Sequence, residues 1–413
     1  MIAPIASIKV GLDFGNMIKT VGRLALKKHK IYFEYDADYL SDGFELSPIR
    51  LPLKSGLTIC DSSVFDGLPG LFNDSLPDGW GRLLFDRAMH LRGIKLDQLT
   101  PLHQLAHLGK SGMGALVYKP DNSQNIEPAE LNLDQLSRHC TDVLEGDAED
   151  VINELLLLNG SSGGARPKVL IGYNQKTGRV IHGTQKLPKY YEHWIVKFQN
   201  SQDGPDAGAI EFVYSKLAAA AGISVPDVHL FPSKLGAGYF AVKRFDRTEG
   251  KRLHMHTAGG LLHSDHRIPT LDYHNLLELT MFLMRDVREL YKMFQLAVFN
   301  VMAHNRDDHS KNFTFLMDET GEWKLSPAYD LTFSHGPGGE HSTMIMGEGD
   351  SPSRDDLRAL GSESGLSNSQ IKEAIDHTQA ALEMWRNLAR NYHVSQDSLN
   401  EIDRVITKFV QQH

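Results

Sequence analysis

The apolar run MFQLAVFNVMA, Met293 to Ala303, passes straight into HNRDDHSKNFTF, His304 to Phe315, and the chain turns apolar again at Phe313, Phe315 and Leu316. Two segments with the character of a buried core thus bracket a cluster of charged and amide groups. Burying such groups without partners costs several kcal/mol, so the stretch is either a surface loop with packed ends or a site whose partners arrive with a ligand. Any fold for this chain has to hold both ends of it in the interior.

At 413 residues the chain is too long for one small core and suits two or three domains, or a two-lobed enzyme. Its 41% hydrophobic and 23% charged residues are ordinary for a globular protein, which excludes global disorder and a fibrous architecture. The formal net charge of -9 argues against a protein that coats nucleic acid with its own surface, and leaves room for a DNA-bound partner. Cys60 and Cys140, the only cysteines, have no metal-ligand spacing and support no disulfide framework, so a reducing, cytoplasmic setting is expected. The first residues, MIAPIASIKVGLDFGN, lack the basic start and apolar core of a signal peptide, and no run of about 18 apolar residues occurs. A soluble protein without membrane contact is expected.

Between Ser7 and Tyr39, VGRLAL and KIYFEYD alternate apolar and polar positions around the turn-like KKHK, which predicts a hairpin. In SLPDGWGRLLFDRAMHL, Ser75 to Leu91, the residues Pro77, Asp78 and Gly79 make a turn into an amphipathic helix. Asp121 to Glu149 shifts to a polar, acidic composition and reads as a linker with a helix. LLLLNGSSGGARPKVLIGYN and GRVIHG follow as an apolar segment, a Gly-rich loop and two strands. HWIVKF is a strand with Trp194, Val196 and Phe198 on one face and Ile195 and Lys197 on the other. AIEFVYSKLAAAAG is a helix ending at Gly222, and GYFAVKRFDR returns to strand. From Thr270 the chain is helical, and VRELYKMFQLAVFNVMA, apolar nearly all round in its latter half, is expected at the centre of a helical domain.

The parts that phosphoryl transfer by a protein kinase demands occur here in chain order. Asp307 is followed five residues later by Asn312, the offset in the kinase loop H-R-D-x-x-x-x-N, which lets a carboxylate face a substrate hydroxyl while an amide faces a metal. Alone, that spacing is common by chance, and a solvated loop is the plainer reading. Lys311 sits four after the Asp, whereas eukaryotic Ser/Thr kinases usually place the lysine two after. Asp330 in SPAYDLT lies eighteen residues beyond Asn312, past FTFL and a turn at Glu319 to Glu322, where a kinase carries its D-F-G aspartate. By itself such an Asp is a turn residue or helix cap.

Lys197 is central in HWIVKF, where a lysine ordinarily snorkels. It follows a Gly-rich segment, however, and precedes a helix with Glu211 near its start, the order of a phosphate-contacting lysine and its ion-pair partner. SSGGARPK, Ser161 to Lys168, has two adjacent glycines that let backbone N–H groups approach an anion, though it matches neither standard phosphate-loop pattern. LGKSG, Leu108 to Gly112, lacks the earlier glycine of a Walker motif. His254, His256, His263 and His266 read as surface histidines, Asp308 as ordinary surface, and no G-x-S-x-G marks a serine hydrolase.

Together SSGGARPK, HWIVKF, AVKRFDR, HNRDDHSKNFTF and AYDLT, with SLPDGWGRLL and the early strands, resemble the HipA family, the kinase toxins of bacterial type II toxin-antitoxin systems, over nearly the whole chain. The resemblance implies an α+β, two-lobed protein-kinase-like fold. A mixed β-rich N-terminal subdomain is expected over 1–120, a linker region over 121–150, a nucleotide-binding β-rich lobe over 151–265, and a helical lobe with the catalytic loop over 266–413. ATP and Mg2+ are the implied cofactors, and Ser/Thr protein phosphorylation is the implied activity. By motif, Asp307 is expected to accept the proton, Asn312 and Asp330 to hold Mg2+, and Lys197 to contact the ATP phosphates. Ser162, Gly163, Gly164, Ala165, Arg166, Pro167 and Lys168 would line the nucleotide, and Lys243, Arg244 and Phe245 would form the hinge that meets adenine. His309, Lys311 and Tyr329 would add nucleotide contacts.

Ser161, or its neighbour Ser162, is the autophosphorylation site the resemblance implies; a phosphate there would repel ATP and eject the loop. Lys243 stands where the family's best-known member has an acidic residue, a change that spares backbone contacts to adenine but not a side-chain one. The implied biology is a toxin that phosphorylates a translation component such as an aminoacyl-tRNA synthetase, restrained by a HipB-like helix-turn-helix antitoxin through which it would reach operator DNA. Two other readings stand beside it: a small-molecule kinase, and a kinase-shaped corepressor acting through a DNA-binding partner. The set Lys197, Asp307, Asn312 and Asp330 argues against the corepressor, because a scaffold has no physical need of all four.

Overall fold

The computed structural model describes residues 5–59, 64–123, 127–146, 149–160, 163–183, 186–200 and 203–410. Strands β1 (Ser7–Asp13), β2 (Ile18–Lys27) and β3 (Lys30–Tyr35) pair antiparallel, with Lys28 and His29 at φ of 49° and 61° in the turn between the last two. Positive φ at both turn positions matches the twist of the flanking strands. The short β4 (Thr58–Ile59) and β5 (Leu116–Lys119) complete the sheet in the order β4-β3-β2-β1-β5. Its inward positions, among them Ile8, Val10, Leu24 and Phe33, bury against Leu102 and Leu105 of helix Pro101–Leu108.

A second sheet holds β6 (Lys168–Asn174), β7 (Arg179–His182), β8 (Glu192–Lys197), β9 (Val228–Phe231) and β10 (Tyr239–Lys243) in the order β7-β6-β8-β10-β9. Alternation assigns the two faces as expected from HWIVKF. Trp194, Val196 and Phe198 enter a core with helices α1 (Gly79–Leu91) and α2 (Glu149–Asn159), whereas Ile195 packs with Phe240, Val242 and Phe212 of α3 (Ala207–Ala220). Helix α1, which starts within PDGW, therefore shares the core of the second sheet, through Trp80, Leu84 and Phe85, rather than that of the first. Burying a side chain such as Phe85 contributes about 1.5–3 kcal/mol, so this face ties the first part of the chain to the second. Helix Leu133–Glu145, within the acidic stretch, adds Leu136, Cys140 and Val143 to the same core.

In the helical lobe, α4 (Val287–Met302) starts at an Asp286 cap that accepts the Arg288 N–H, and from Met293 onward it is buried nearly all round. A three-stranded antiparallel sheet of β11 (His254–Thr257), β12 (Thr314–Met317) and β13 (Trp323–Leu325) lies after it, β12 and β13 being the hairpin expected beyond HNRDDHSKNFTF. Among the described residues no helix is long and apolar enough to cross a membrane.

Strand β11 corrects the surface reading of His254 and His256, which have no exposure. Asp74 accepts hydrogen bonds from His256 Nδ1 at 2.6 Å, Thr257 N–H at 2.7 Å and Thr257 Oγ1 at 2.8 Å, while His256 Nε2 meets Ser47 Oγ at 2.9 Å. His254 Nε2 lies 3.2 Å from Leu46 O, and burial pushes its pKa down to about 3. Ser47, Leu46 and Asp74 come from roughly two hundred residues upstream, a distance no local pattern reports. His263 also faces this joint, accepting the Gly70 N–H at 3.0 Å.

Candidate active site

Lys168 and Lys197 are directly opposed across β6 and β8. Two like charges so placed repel, so the pair needs acidic neighbours. Lys197 Nζ donates to Glu211 Oε1 of α3 at 2.5 Å and also pairs with Asp330. Glu211 holds its second oxygen towards Arg166, at 3.4 Å, and Arg166 reaches Asp203 at 3.0 Å. Burial acts to deprotonate Lys197, but Asp330 and Glu211 outweigh it and hold the ammonium above its ordinary pKa. Burial wins at Lys168, whose pKa is lowered.

Asp330 sits at φ 54°, a left-handed conformation that costs a non-glycine residue about 1–3 kcal/mol. Burial raises its carboxyl pKa, yet Lys197 and then Lys168 overcome that, and the net is well below the usual carboxylate range. A third of its side-chain surface, 33%, remains open. Tyr329, just before it, is fixed by its hydroxyl, which donates to Lys311 O at 2.6 Å and lies 2.6 Å from Thr314 Oγ1.

The loop after α4 separates two adjacent carboxylates. Asp307 is exposed. Asp308 is 1% exposed and accepts from Tyr273 Oη at 2.8 Å, His341 Nδ1 at 2.9 Å, Ser342 N–H at 2.9 Å and Thr343 N–H at 3.2 Å. The surface reading of Asp308 is thus corrected: it is the buried anchor that joins the loop to segment 341–343. The anchor extends back into α4 through Asn300, whose amide donates to Tyr273 Oη at 2.9 Å.

Asn312 Nδ2 donates to Asp307 O at 2.7 Å, which leaves its amide oxygen for another partner. The Asp307 carboxyl, open to solvent but crowded by the protein around it, is pushed above its ordinary pKa first by that crowding; His309 opposes this and the charge of Asp330 adds to it. His309 has a buried Nδ1 without a partner among the described residues, and its ring lies 5.4 Å from that of His266. The surface reading of His266 is corrected too: it is partly buried, with a pKa lowered to about 4 by burial and then by Lys311.

In the Gly-rich stretch, Ser161 and Ser162 lie outside the described residues. Gly164 has φ 100°, Lys168 Nζ donates to Gly163 O, and Pro167 O accepts the Phe198 N–H at 2.8 Å. Ala165 packs against the turn at Gly79, where a Cβ would come within 2.8 Å of the Ala165 Cα. Lys311 Nζ pairs with Asp78 at 2.6 Å.

At the far end, Lys243 pairs with Glu192 at 2.6 Å, and the Lys243 and Arg244 N–H groups already donate to Asp227 O and His193 O. The Arg244 side chain is bound to Asp246 by bonds of 2.9 and 2.7 Å. Phe245 faces Tyr329, ring centroids 5.4 Å apart, and Lys243, Arg244 and Phe245 line a cavity of about 1450 Å³.

Among the described residues no group of three His, Cys, Asp or Glu side chains could hold a metal. Mg2+ does not need such a cage, because it takes one or two carboxylates and completes its shell with phosphate oxygens and water. The open oxygen of Asp330 and the amide oxygen of Asn312 fit that demand. Glu211 and Arg166 complete the lysine's surroundings; the early position of Glu211 in its helix was the only sequence signal for that pair. Nothing local announced Asp78 or His266, which reach the cleft from distant segments.

The HipA-like C-terminal domain model matches residues 160–385, and the HipA N-terminal domain model matches 17–119. Two proteins of Sinorhizobium fredii are similar. "Putative kinase Y4dM" is 25% identical over 77% of this chain and 75% of its own length, and the like-named Y4mE is 26% identical over 61% and 63%. Among solved structures, HipA of Shewanella oneidensis MR-1, in complex with HipB and operator DNA, superposes with a TM-score of 0.68 at 17% identity, covering 98% of this chain and 96% of that one. The likeness to that structure shows a shared α+β fold, and the C-terminal model alone spans more than half the chain: the protein belongs to the HipA family.

Proposed function

We propose that the protein is a HipA-like kinase that uses ATP and Mg2+ to phosphorylate a Ser or Thr hydroxyl of a protein target. One observation carries the reading: Lys197 is clamped between Glu211 and Asp330 while Asp307, with Asn312 bonded to its carbonyl, stands open beside them. The bound nucleotide would supply the transferable phosphoryl group, and the metal ion would offset the charge developing on it. Asn312 and Asp330 would hold the metal. Asp307 would take the proton from the attacking hydroxyl, a role its raised pKa favours because a stronger base accepts the proton more readily. Lys197, kept protonated, would contact the phosphates, and Lys168 and His309 would face them from strand and loop.

Purine recognition would use Phe245, since the Lys243 and Arg244 N–H groups are already engaged. An aminoacyl-tRNA synthetase as target, autophosphorylation at Ser161 or Ser162, and restraint by a HipB-like antitoxin that brings operator DNA all belong to this reading. Support for the last comes from the Shewanella HipA, which is seen in complex with HipB and its operator DNA. The test is incubation of purified protein with labelled ATP and a bacterial lysate. A labelled protein band, lost when Mg2+ is chelated, is expected; no label in lysate or protein would end the reading, and mass spectrometry of 160–168 checks the serines.

A further inference from the structure

We propose that Asp78, on the turn that opens α1, is a positioning residue of the phosphoryl-transfer site, holding the Gly-rich loop against the catalytic loop; the inference rests on the kinase reading above. The approach depends on missing side chains. Gly79 has φ 43°, and a Cβ there would stand 2.5 Å from Gly164 O, while a Cβ at Gly163 would stand 3.0 Å from Asp78 Oδ1. With both positions bare, the two backbones close to hydrogen-bonding distance. Trp80 N–H donates to Gly164 O at 3.0 Å, and Gly164 N–H donates to Asp78 Oδ1.

The other oxygen of Asp78 receives Lys311 Nζ at 2.6 Å, and the two side chains are only 19% and 16% exposed. Lys311 in turn accepts the Tyr329 hydroxyl on its carbonyl at 2.6 Å, next to Asp330. One carboxylate therefore joins three segments far apart in sequence: the PDGW turn, the Gly-rich loop and the catalytic loop. Its pKa of about 2 is the balance of burial, which raises it, against Lys311 and the Gly164 N–H, which lower it. A Gly-rich loop has little conformational preference of its own, so what holds it in place before nucleotide arrives must come from outside it. Ordering it in advance removes part of the cost of binding.

Asp78→Asn keeps an acceptor for Gly164 N–H and removes the charge facing Lys311; Asp78→Ala removes both. Steady-state turnover of the full chain with MgATP is expected to show KM for ATP raised about tenfold in the Asn variant and further in Ala, with kcat changed less than KM. Amide hydrogen exchange over 163–168 in nucleotide-free protein should accelerate in the same order, and Asp78→Glu should restore part of both. Unchanged KM in the Asn variant, with or without faster exchange, overturns the proposal, and so does a lower KM, which would make Asp78 a plug on the phosphate site. Exchange is read without turnover. If the wild type transfers no phosphoryl group the kinase reading fails on its own, while unchanged exchange in both variants shows that Asp78 does not hold the loop.

Discussion

Asp246 and Asp330 are both carboxylates enclosed by cations, and at both the neighbouring positive charge overcomes burial and holds the pKa below the usual range. Their surroundings differ in one respect. Asp246 has no exposure, and its oxygens are filled by Arg244 at 2.9 and 2.7 Å, Arg247 at 2.5 Å and the Gly114 N–H at 2.8 Å. Asp330 keeps 33% of its side chain open and sits in a strained backbone conformation. A buried ion cluster whose donors and acceptors are all matched within the chain is a rivet, here between segment 112–114 and the strand-end arginines. One that leaves an oxygen open, at a conformational cost, is what the metal site proposed at Asp330 would need. Asp308 and Asp307 repeat the contrast one residue apart.

The largest effect that could break this comparison is on chemistry. Asp307→Ala should lower phosphoryl transfer by about 100- to 10000-fold, as loss of a general base does, and leave the melting temperature unchanged. Labelled-ATP assays beside thermal unfolding check both; a variant that unfolds early would move Asp307 into the rivet class. Asp246→Ala should do the reverse, costing about 3–5 kcal/mol of stability because Arg244 and Arg247 are left buried without their partner. Denaturant midpoints measure it, and an unchanged midpoint would dissolve the distinction. Asp308→Asn is expected to cost less, about 2 kcal/mol, since the amide keeps one acceptor while losing the charge.

The smallest effect is in pH. Because the Asp307 pKa is raised, the acid limb of kcat/KM should lie above the ordinary Asp value of 3.8, reflecting the pH at which the base must lose its proton. Stability should move the other way for Asp78 and Asp246. Their folded pKa values are depressed, so their contribution is present above about 3.8 and is lost as pH falls through the folded value, about 2 for Asp78. Urea titrations across that acid range should show the loss, and a flatter profile in Asp246→Ala.

Much of the framework was legible because its causes are local. Period-two alternation placed Trp194 and Val196 inward and Lys197 on the opposite face, and an all-round apolar run marked α4 as central. Asp308, His254 and His256, expected at the surface, are buried polar residues whose partners lie 33 to 209 positions away. A polar residue in a sequence looks solvated unless the partner that satisfies it can be seen.

By itself the sequence determined which residue types stand where: the Asp307–Asn312 spacing, a lysine in mid-strand, two adjacent glycines ahead of it, and the alternation that sets each strand's faces. These follow from near-neighbour sterics and hydrophobic periodicity. Only the tertiary structure decided which charges are matched and which stay open, because that depends on segments brought together from across the chain. Asp78 is the clearest instance: a turn residue by its neighbours, it becomes the bridge between two loops through contacts 86 and 233 residues away.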